Sequence, residues 1–319
     1  MVILIVGGTG FIGRAVARKL LAGGQNKVIA MDFTPPNQMF LEKMAAYPGA
    51  FEYVRGDVSS LDDIVGAVKT FGVEKIVNLA YMMAFESERL PRAVAKVNVL
   101  GMTNVFEAAR LHDISRVVYA TSIGYYGPQS NFGDKEVSED DVGRPTLVYG
   151  ITKQLNEIAA DRYCDQFGMS IVGLRISNVF GHGRECERTA AWFSSLISLP
   201  AVGKPISLDV QPSSTFSLIY VDDVAEAINI MLSSSTQYRV YNTGGNTASL
   251  GQVTDVVKKY LPDAEITFGN SSGDVGIPYR VSCSRIKSEF GFRPRSLEDG
   301  VLAHINEARQ EAGLEPITA

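Results

Sequence analysis

Residues 2–13 constrain the fold more than any other stretch. Val2–Val6 is an apolar run of strand length, and it leads directly into Gly7-Gly8-Thr9-Gly10-Phe11-Ile12-Gly13, where a helical pattern begins. Glycines at 7, 10 and 13 give the spacing G-x-x-G-x-x-G. Without Cβ atoms such a loop turns tightly and lets a bulky anion approach the backbone. The helix that follows offers unpaired N–H groups and a partial positive charge at its start. A strand, a glycine loop and a helix in that order commit the chain to a βαβ unit, and so to a parallel sheet that carries a phosphate-bearing ligand at a helix N-terminus.

The rest of the chain continues this rhythm. Val2–Val6, Lys27–Met31, Phe51–Val54, Lys75–Leu79, Val117–Thr121 and Ser170–Ile176 read as strands, mostly apolar as strands covered on both faces are. Helical patterns lie at 12–22, 60–71, 90–110 and 149–167. The expected fold is α/β, a Rossmann-type doubly wound parallel sheet over residues 1–180. Beyond Gly181 the alternation loosens. A helix near 188–199, strands at Ile206–Leu208, Leu218–Val221 and Val240–Asn242, and helices at 222–234, 249–260 and 298–311 suggest a smaller C-terminal substrate lobe over 181–319. That lobe is expected to interleave with the last sheet elements.

Composition narrows the function. With 319 residues, 30 Lys+Arg against 35 Asp+Glu and no basic block, the chain has no electrostatic basis for nucleic-acid binding. Cys164, Cys186 and Cys283 are too scattered for a disulfide framework, and His112, His182 and His304 make no metal-ligand spacing. The N-terminal apolar run has no positive flank and stops at Gly7, so it reads as a strand, neither signal peptide nor membrane span. The expectation is a cytoplasmic, metal-free protein that acts on a small molecule.

The chemistry-bearing residues follow in chain order. Asp32 ends the second strand, 19 residues past Gly13, where an acid accepts the hydroxyls of an adenosine ribose and repels a 2′-phosphate; no arginine follows in Phe33-Thr34-Pro35-Pro36. NAD is therefore expected over NADP. Tyr149-Gly150-Ile151-Thr152-Lys153 places a tyrosine and a lysine one turn apart on a helix face. A free phenol, with pKa near ~10, is a poor base at neutral pH, but an adjacent ammonium favours the phenolate. Ser122 closes the strand Val117–Thr121 at the sheet's C-terminal edge, where such folds bind ligands. Its hydroxyl is placed to hold a substrate oxygen.

With these pieces in order, the chain resembles the extended short-chain dehydrogenase/reductases, the superfamily of NAD-dependent epimerases and dehydratases. The likeness runs through Gly7–Gly13, Asp32, Gly56-Asp57-Val58, Asn78-Leu79-Ala80, Asn98, Thr121-Ser122 with Tyr126-Gly127, Tyr149 with Lys153, Leu174–Gly181, Tyr220-Val221-Asp222-Asp223 and Gly291–Pro294. The resemblance implies a Ser122–Tyr149–Lys153 catalytic set. It implies that Gly7, Gly10, Phe11, Ile12 and Gly13 cradle the cofactor, and that Asp57 and Val58 contact its adenine end. Leu79, Ala80 and Tyr81 would line its groove, Asn98 would stand behind the active site, and Ile176 would face the cofactor. Met83, Asn178 and Arg188 would meet the substrate. It also implies that the helices at 90–110 and 149–167 pair two subunits into a homodimer.

Departures from the family pattern narrow the reaction. Dehydratases carry an Asp-Glu pair after the active-site hydroxyl residue, and reductases of the GDP-sugar type carry a cysteine there; Ile123-Gly124 stand here instead and exchange no proton. Nucleotide-sugar enzymes usually carry an arginine just before the Tyr-Val-Asp-Asp stretch. Phe216-Ser217-Leu218-Ile219 fill that place here, leaving Arg280, Arg285 or Arg188 as the candidates to meet a diphosphate. The expected activity is oxidation of an alcohol carbon in a sugar, sugar acid or hydroxy/amino acid. A nucleotide-sugar 4-epimerase with tightly bound NAD is the main alternative, and a non-catalytic NAD sensor is the rival from outside enzymology.

Overall fold

The computed structural model describes residues 1–184 and 191–318, with the side chain of Ala191 outside the description. In chain order its elements are β1 (Val2–Val6), α1 (Phe11–Ala22), β2 (Lys27–Asp32), α2 (Gln38–Met44), β3 (Phe51–Arg55), α3 (Leu61–Phe71), β4 (Lys75–Asn78), α4 (Ala84–Arg89), α5 (Pro91–Val94), α6 (Gly101–Leu111), β5 (Arg116–Ser122), α7 (Val148–Phe167), β6 (Ile171–Ile176) and β7 (Asn178–Phe180). Then follow α8 (Leu196–Ala201), β8 (Ile206–Leu208), β9 (Thr215–Tyr220), α9 (Val221–Ser233), β10 (Val240–Asn242), β11 (Asn246–Ser249), α10 (Leu250–Tyr260), β12 (Ile266–Phe268), α11 (Ser284–Phe290) and α12 (Leu297–Glu311).

Seven parallel strands form the central sheet in the order β10-β6-β5-β4-β1-β2-β3. Each strand feeds two cores by simple alternation. Ile3 and Ile5 pack into one, while Leu4 and Val6 pack into the other; Val172, Leu174 and Ile176 of β6 share the first, and Val117 and Tyr119 of β5 share the second. A sheet covered on both faces favours apolar residues on both sides of each strand, which is why these strands read as mostly apolar runs. The strand order reverses beside β1, between β4 and β2. The loops after β1, β4 and β5 therefore gather at one switch point. The expected doubly wound fold is present. A smaller sheet (β11-β9-β7) and a two-stranded one (β12-β8) come from the later part of the chain, while β10 joins the large sheet.

Several local expectations are corrected. The fourth strand ends at Asn78, because the Asn78 side chain turns back to accept the N–H of Ala80. The strand expected at Leu218–Val221 runs from Thr215 to Tyr220, and Val221 opens α9, whose first turn holds Asp222 and Asp223 where the helix dipole favours acids. The helix expected over 90–110 is broken: α5 passes into a π-helical stretch, Ala95–Leu100, before α6. The helix expected near 188–199 begins, among described residues, with a π-helical turn at Ala191–Ser195. The expected Arg188 contact lies outside the described residues.

Candidate active site

The glycine loop is as tight as its sequence demands. Gly7 has φ +80°, and a Cβ there would stand 2.7 Å from the Ala80 nitrogen. A Cβ on Gly13 would stand 2.3 Å from the Gly7 carbonyl oxygen, so neither position admits a side chain. Gly10 is the N-cap of α1 and offers no side-chain cap, which leaves the helix's first N–H groups for a ligand. Asp32 lies at the end of β2. Its carboxylate accepts the Thr9 and Thr34 N–H groups at 3.2 and 3.1 Å, which orients it beside the loop and leaves lone pairs for ribose hydroxyls. Cradle and acid fit a dinucleotide.

A cleft of about 330 Å³ opens from this loop across the sheet's C-terminal edge. Of the expected residues, Gly7, Gly10, Phe11, Ile12, Gly13, Leu79, Tyr81, Met83, Ser122, Tyr149, Lys153, Ile176 and Asn178 line it. Asp32, Asp57, Val58, Ala80 and Asn98 do not. Asp57 sits at the end of β3, where Ser59 donates two hydrogen bonds that hold its carboxyl below the ordinary range. Val58 is buried under Gly101, with its carbonyl held by Asn104. Asn98, on the π-helical stretch, is fully buried. Its amide oxygen accepts the Met82 N–H at 2.8 Å and its amide nitrogen donates to the Met82 carbonyl at 3.0 Å. It braces the loop after β4.

The catalytic candidates converge. Ser122 Oγ accepts the Gly124 N–H at 3.1 Å, so its own O–H is left to donate. Gly124 stands between the two hydroxyl residues: a Cβ there would lie 3.1 Å from Tyr149 Cε1 and 3.4 Å from Ser122 Oγ. Gly150, beside Tyr149, approaches so closely that its Cβ would meet the Gly124 oxygen at 2.3 Å. The two glycines thus bring α7 against the turn after β5. Lys153, one turn on, is 2% exposed and donates to the Ala120 carbonyl at 2.7 Å. Burial pushes its ammonium pKa well down, and the Glu157 carboxylate opposes that shift.

Two features escaped the sequence reading. Behind Lys153, Glu157 receives Arg175 on both oxygens at 3.0 and 2.7 Å and also the Thr121 hydroxyl at 2.6 Å, while Arg175 donates on to Tyr126. Leu174-Arg175 was visible as a string, but no pattern ties it to a glutamate on another element. The second feature is a contact: Tyr81, expected to line the groove, also lays its ring against both Tyr149 and Lys153. Asn178 donates to the Ser217 carbonyl at 3.2 Å. Phe216, in the place of the nucleotide-sugar arginine, is core: it is 2% exposed and its ring meets Phe193 edge-on at 4.7 Å. Arg280 donates to the Asp134 carbonyl and Arg285 to Asp140, both away from the cleft.

The strand order, the glycine loop at its switch point and the acid beyond it define a dinucleotide-binding α/β enzyme. The chain belongs to the NAD-dependent epimerase/dehydratase family, whose family model matches residues 3–244. Its cofactor is NAD. An uncharacterized protein of Methanocaldococcus jannaschii, MJ1055, is 29% identical over 95% of both chains. The GalE-like L-threonine dehydrogenase from Cupriavidus necator superposes with TM-score 0.85 at 21% identity, covering 96% of this chain and 99% of that one. The NAD complex of the Thermus thermophilus UDP-glucose 4-epimerase superposes with TM-score 0.83 at 24% identity, covering 97% of this chain and 99% of that one.

Proposed function

We propose that the protein oxidises an alcohol carbon of a small polar substrate, a sugar, sugar acid or hydroxy/amino acid, with Ser122, Tyr149 and Lys153 as its catalytic set. One observation carries this reading: Ser122 and Tyr149 flank the single gap that Gly124 leaves, in the same cleft as the glycine loop. The Ser122 O–H holds the substrate oxygen. Tyr149 takes the proton from the substrate hydroxyl as the carbon becomes a carbonyl. Lys153 holds the nicotinamide ribose, and its charge favours the phenolate of Tyr149. NAD supplies the acceptor for the hydride that leaves the same carbon. Residues 1–180 carry the cofactor in this reading, and 181–319 form the substrate lobe.

The substrate class follows from the walls. Met83, Ala84, Leu147, Phe193, Val275 and Ile277 are apolar, and the only charged side chains among the described lining are Lys153 and Arg184. With Phe216 in the core, no arginine stands just before Tyr220, where nucleotide-sugar enzymes usually carry one to clamp a diphosphate. The second reading, a nucleotide-sugar 4-epimerase, draws on a neighbouring cavity of about 750 Å³ that shares Val275 and Ile277 with the cleft and contains Arg280. The UDP-glucose 4-epimerase among the structural neighbours is consistent with it. Incubating the protein with NAD and a panel of sugars, sugar acids, amino acids and UDP-sugars separates the two. Steady NADH formation identifies a dehydrogenase; sugar interconversion without NADH identifies an epimerase.

The assembly we propose is a homodimer through α7 and the segment 95–111. Ile151, Leu155 and Ile158 form an i, i+4, i+7 stripe about half exposed on α7, and Leu100 and Leu111 are similarly exposed on the adjoining segment. Light scattering at micromolar concentration tests this, and a monomeric mass contradicts it.

A further inference from the structure

Lys153 is a buried cation with little to hold it. Its ammonium has three N–H groups, and among the described residues one of them reaches a protein acceptor, the Ala120 carbonyl. The ring that faces it most closely is that of Tyr81, whose centroid lies 3.1 Å from Nζ. That ring is held at several points. Its hydroxyl donates to Thr152 Oγ1 at 2.7 Å, and its plane meets the Tyr149 ring at 85° with centroids 5.4 Å apart. The backbone on either side is pinned by buried asparagines: Asn78 takes the Ala80 N–H, and Asn98 takes both the N–H and the carbonyl of Met82. Asn156 of α7 in turn donates to the Asn98 carbonyl at 2.8 Å. Such over-determination is more than lining a groove requires.

The geometry points to Tyr81 as a positioning residue that holds the Lys153 ammonium by its π-face and sets its distance from Tyr149. This rests on the proposed Ser122–Tyr149–Lys153 chemistry. An aromatic face attracts a cation most strongly where water is excluded, and it does so without taking the proton, so the ammonium's other N–H groups stay available to the ribose and the phenol. The groups facing Lys153 are few: Tyr149, 5.4 Å from Nζ to ring centroid, and Glu157 from α7, the Ala120 carbonyl from β5, and Tyr81 from the loop after β4. Burial works to discharge the lysine, and Glu157, already bonded to Arg175 and Thr121, opposes it. The ring supplies attraction at contact range.

The test compares Tyr81→Phe with Tyr81→Leu in the full-length protein, reading NAD dissociation constants by calorimetry and the pH profile of kcat/KM in the oxidising direction. Tyr81→Phe keeps the ring, so the rising limb of the profile stays at its original pH whatever the turnover. Tyr81→Leu removes the face, so the limb moves up by about one pH unit and NAD binds about tenfold more weakly. Tyr81→Met, whose similar volume lies on a longer and more flexible chain that adapts to the space, takes the place of leucine if that variant does not fold. An unshifted limb and unchanged NAD affinity in the ring-less variants overturn the proposal. Equal shifts in Tyr81→Phe and Tyr81→Leu also overturn it, because the Thr152 hydrogen bond would then be the support. NAD affinity is read without turnover, so the ring's role stands or falls separately from the assignment of Tyr149 as base.

Discussion

Two buried cations lie close together at this site and are treated in opposite ways. Arg175 is 4% exposed and Lys153 2%, so both have lost their water. Arg175 is well compensated: Glu157 takes two of its five N–H groups, Tyr126 a third, and the Tyr125 ring lies 3.6 Å from its guanidinium carbon. Burial works against its charge, but the hydrogen bonds and charge of Glu157 prevail and hold its pKa above the ordinary value. Among the described residues Lys153 has one carbonyl and one aromatic face at contact range, with the Tyr149 ring further off, and its pKa is driven the other way. A charge that only ties β6 to α7 is satisfied at home. The charge proposed to act on a ligand is left shorter of partners, at some cost in stability.

The comparison is broken most severely by Lys153→Met. Turnover falls by about 10²–10⁴-fold, because ribose contact and support of the base vanish together, and NAD affinity falls with it. The thermal midpoint holds or rises, since a poorly compensated buried charge has been removed. Calorimetry of both binding and unfolding checks this pair of outcomes, and a marked loss of stability would mean that Lys153 is structural. Glu157→Gln does the reverse. It strands Arg175 and costs about 3–5 kcal/mol in chemical denaturation, and pairing Glu157→Leu with Arg175→Met recovers most of that loss. A Glu157→Gln protein as stable as the parent would deny the compensation argued for Arg175.

A smaller effect is expected at the adenosine end. The parent prefers NAD, and Asp32→Ala combined with Phe33→Arg shifts the preference toward NADP by roughly ten- to hundredfold. Phe33 is 65% exposed, so the arginine has room. Equal affinities for NAD and NADP in the parent refute the role given to Asp32. The smallest effect near neutrality concerns a residue outside the cleft lining. His304 is fully buried against Ser198, and burial, with the nearby His182 adding to it, pushes its pKa down to about 3. The unfolded chain therefore binds a proton that the folded chain refuses between about 6.5 and 3. Its contribution to stability is intact above about pH 6.5 and is lost as pH falls through that window, by at most about 1.4 kcal/mol per pH unit. His304→Gln should flatten that slope in urea titrations at pH 4 to 7.

The sequence made some of this legible and hid the rest for physical reasons. β1, the glycine loop and Asp32 are contiguous or evenly spaced, and each answers a local steric or electrostatic demand. Tyr149 and Lys153 are one helical turn apart, so a single period reveals them. Tyr81 and Lys153 are brought together only by the fold, as are Glu157 and Arg175, and no local pattern reports such contacts. The short strands β7, β11 and β12 were missed because three or four residues carry too little periodicity. The break in the helix around Asn98 was hidden because a π-helical stretch keeps the same apolar residues and changes only the hydrogen bonds.

The central claim is that Tyr149 moves the proton, and Tyr149→Phe tests it most directly. The substitution removes one oxygen and little volume, so the fold and NAD affinity should survive. With NAD saturating and a substrate identified from the panel, kcat should fall by about 10²–10⁴-fold. A folded, NAD-saturated Tyr149→Phe enzyme that turns over at close to the parent rate would contradict the account and remove the basis for reading this cleft as an alcohol-oxidising site.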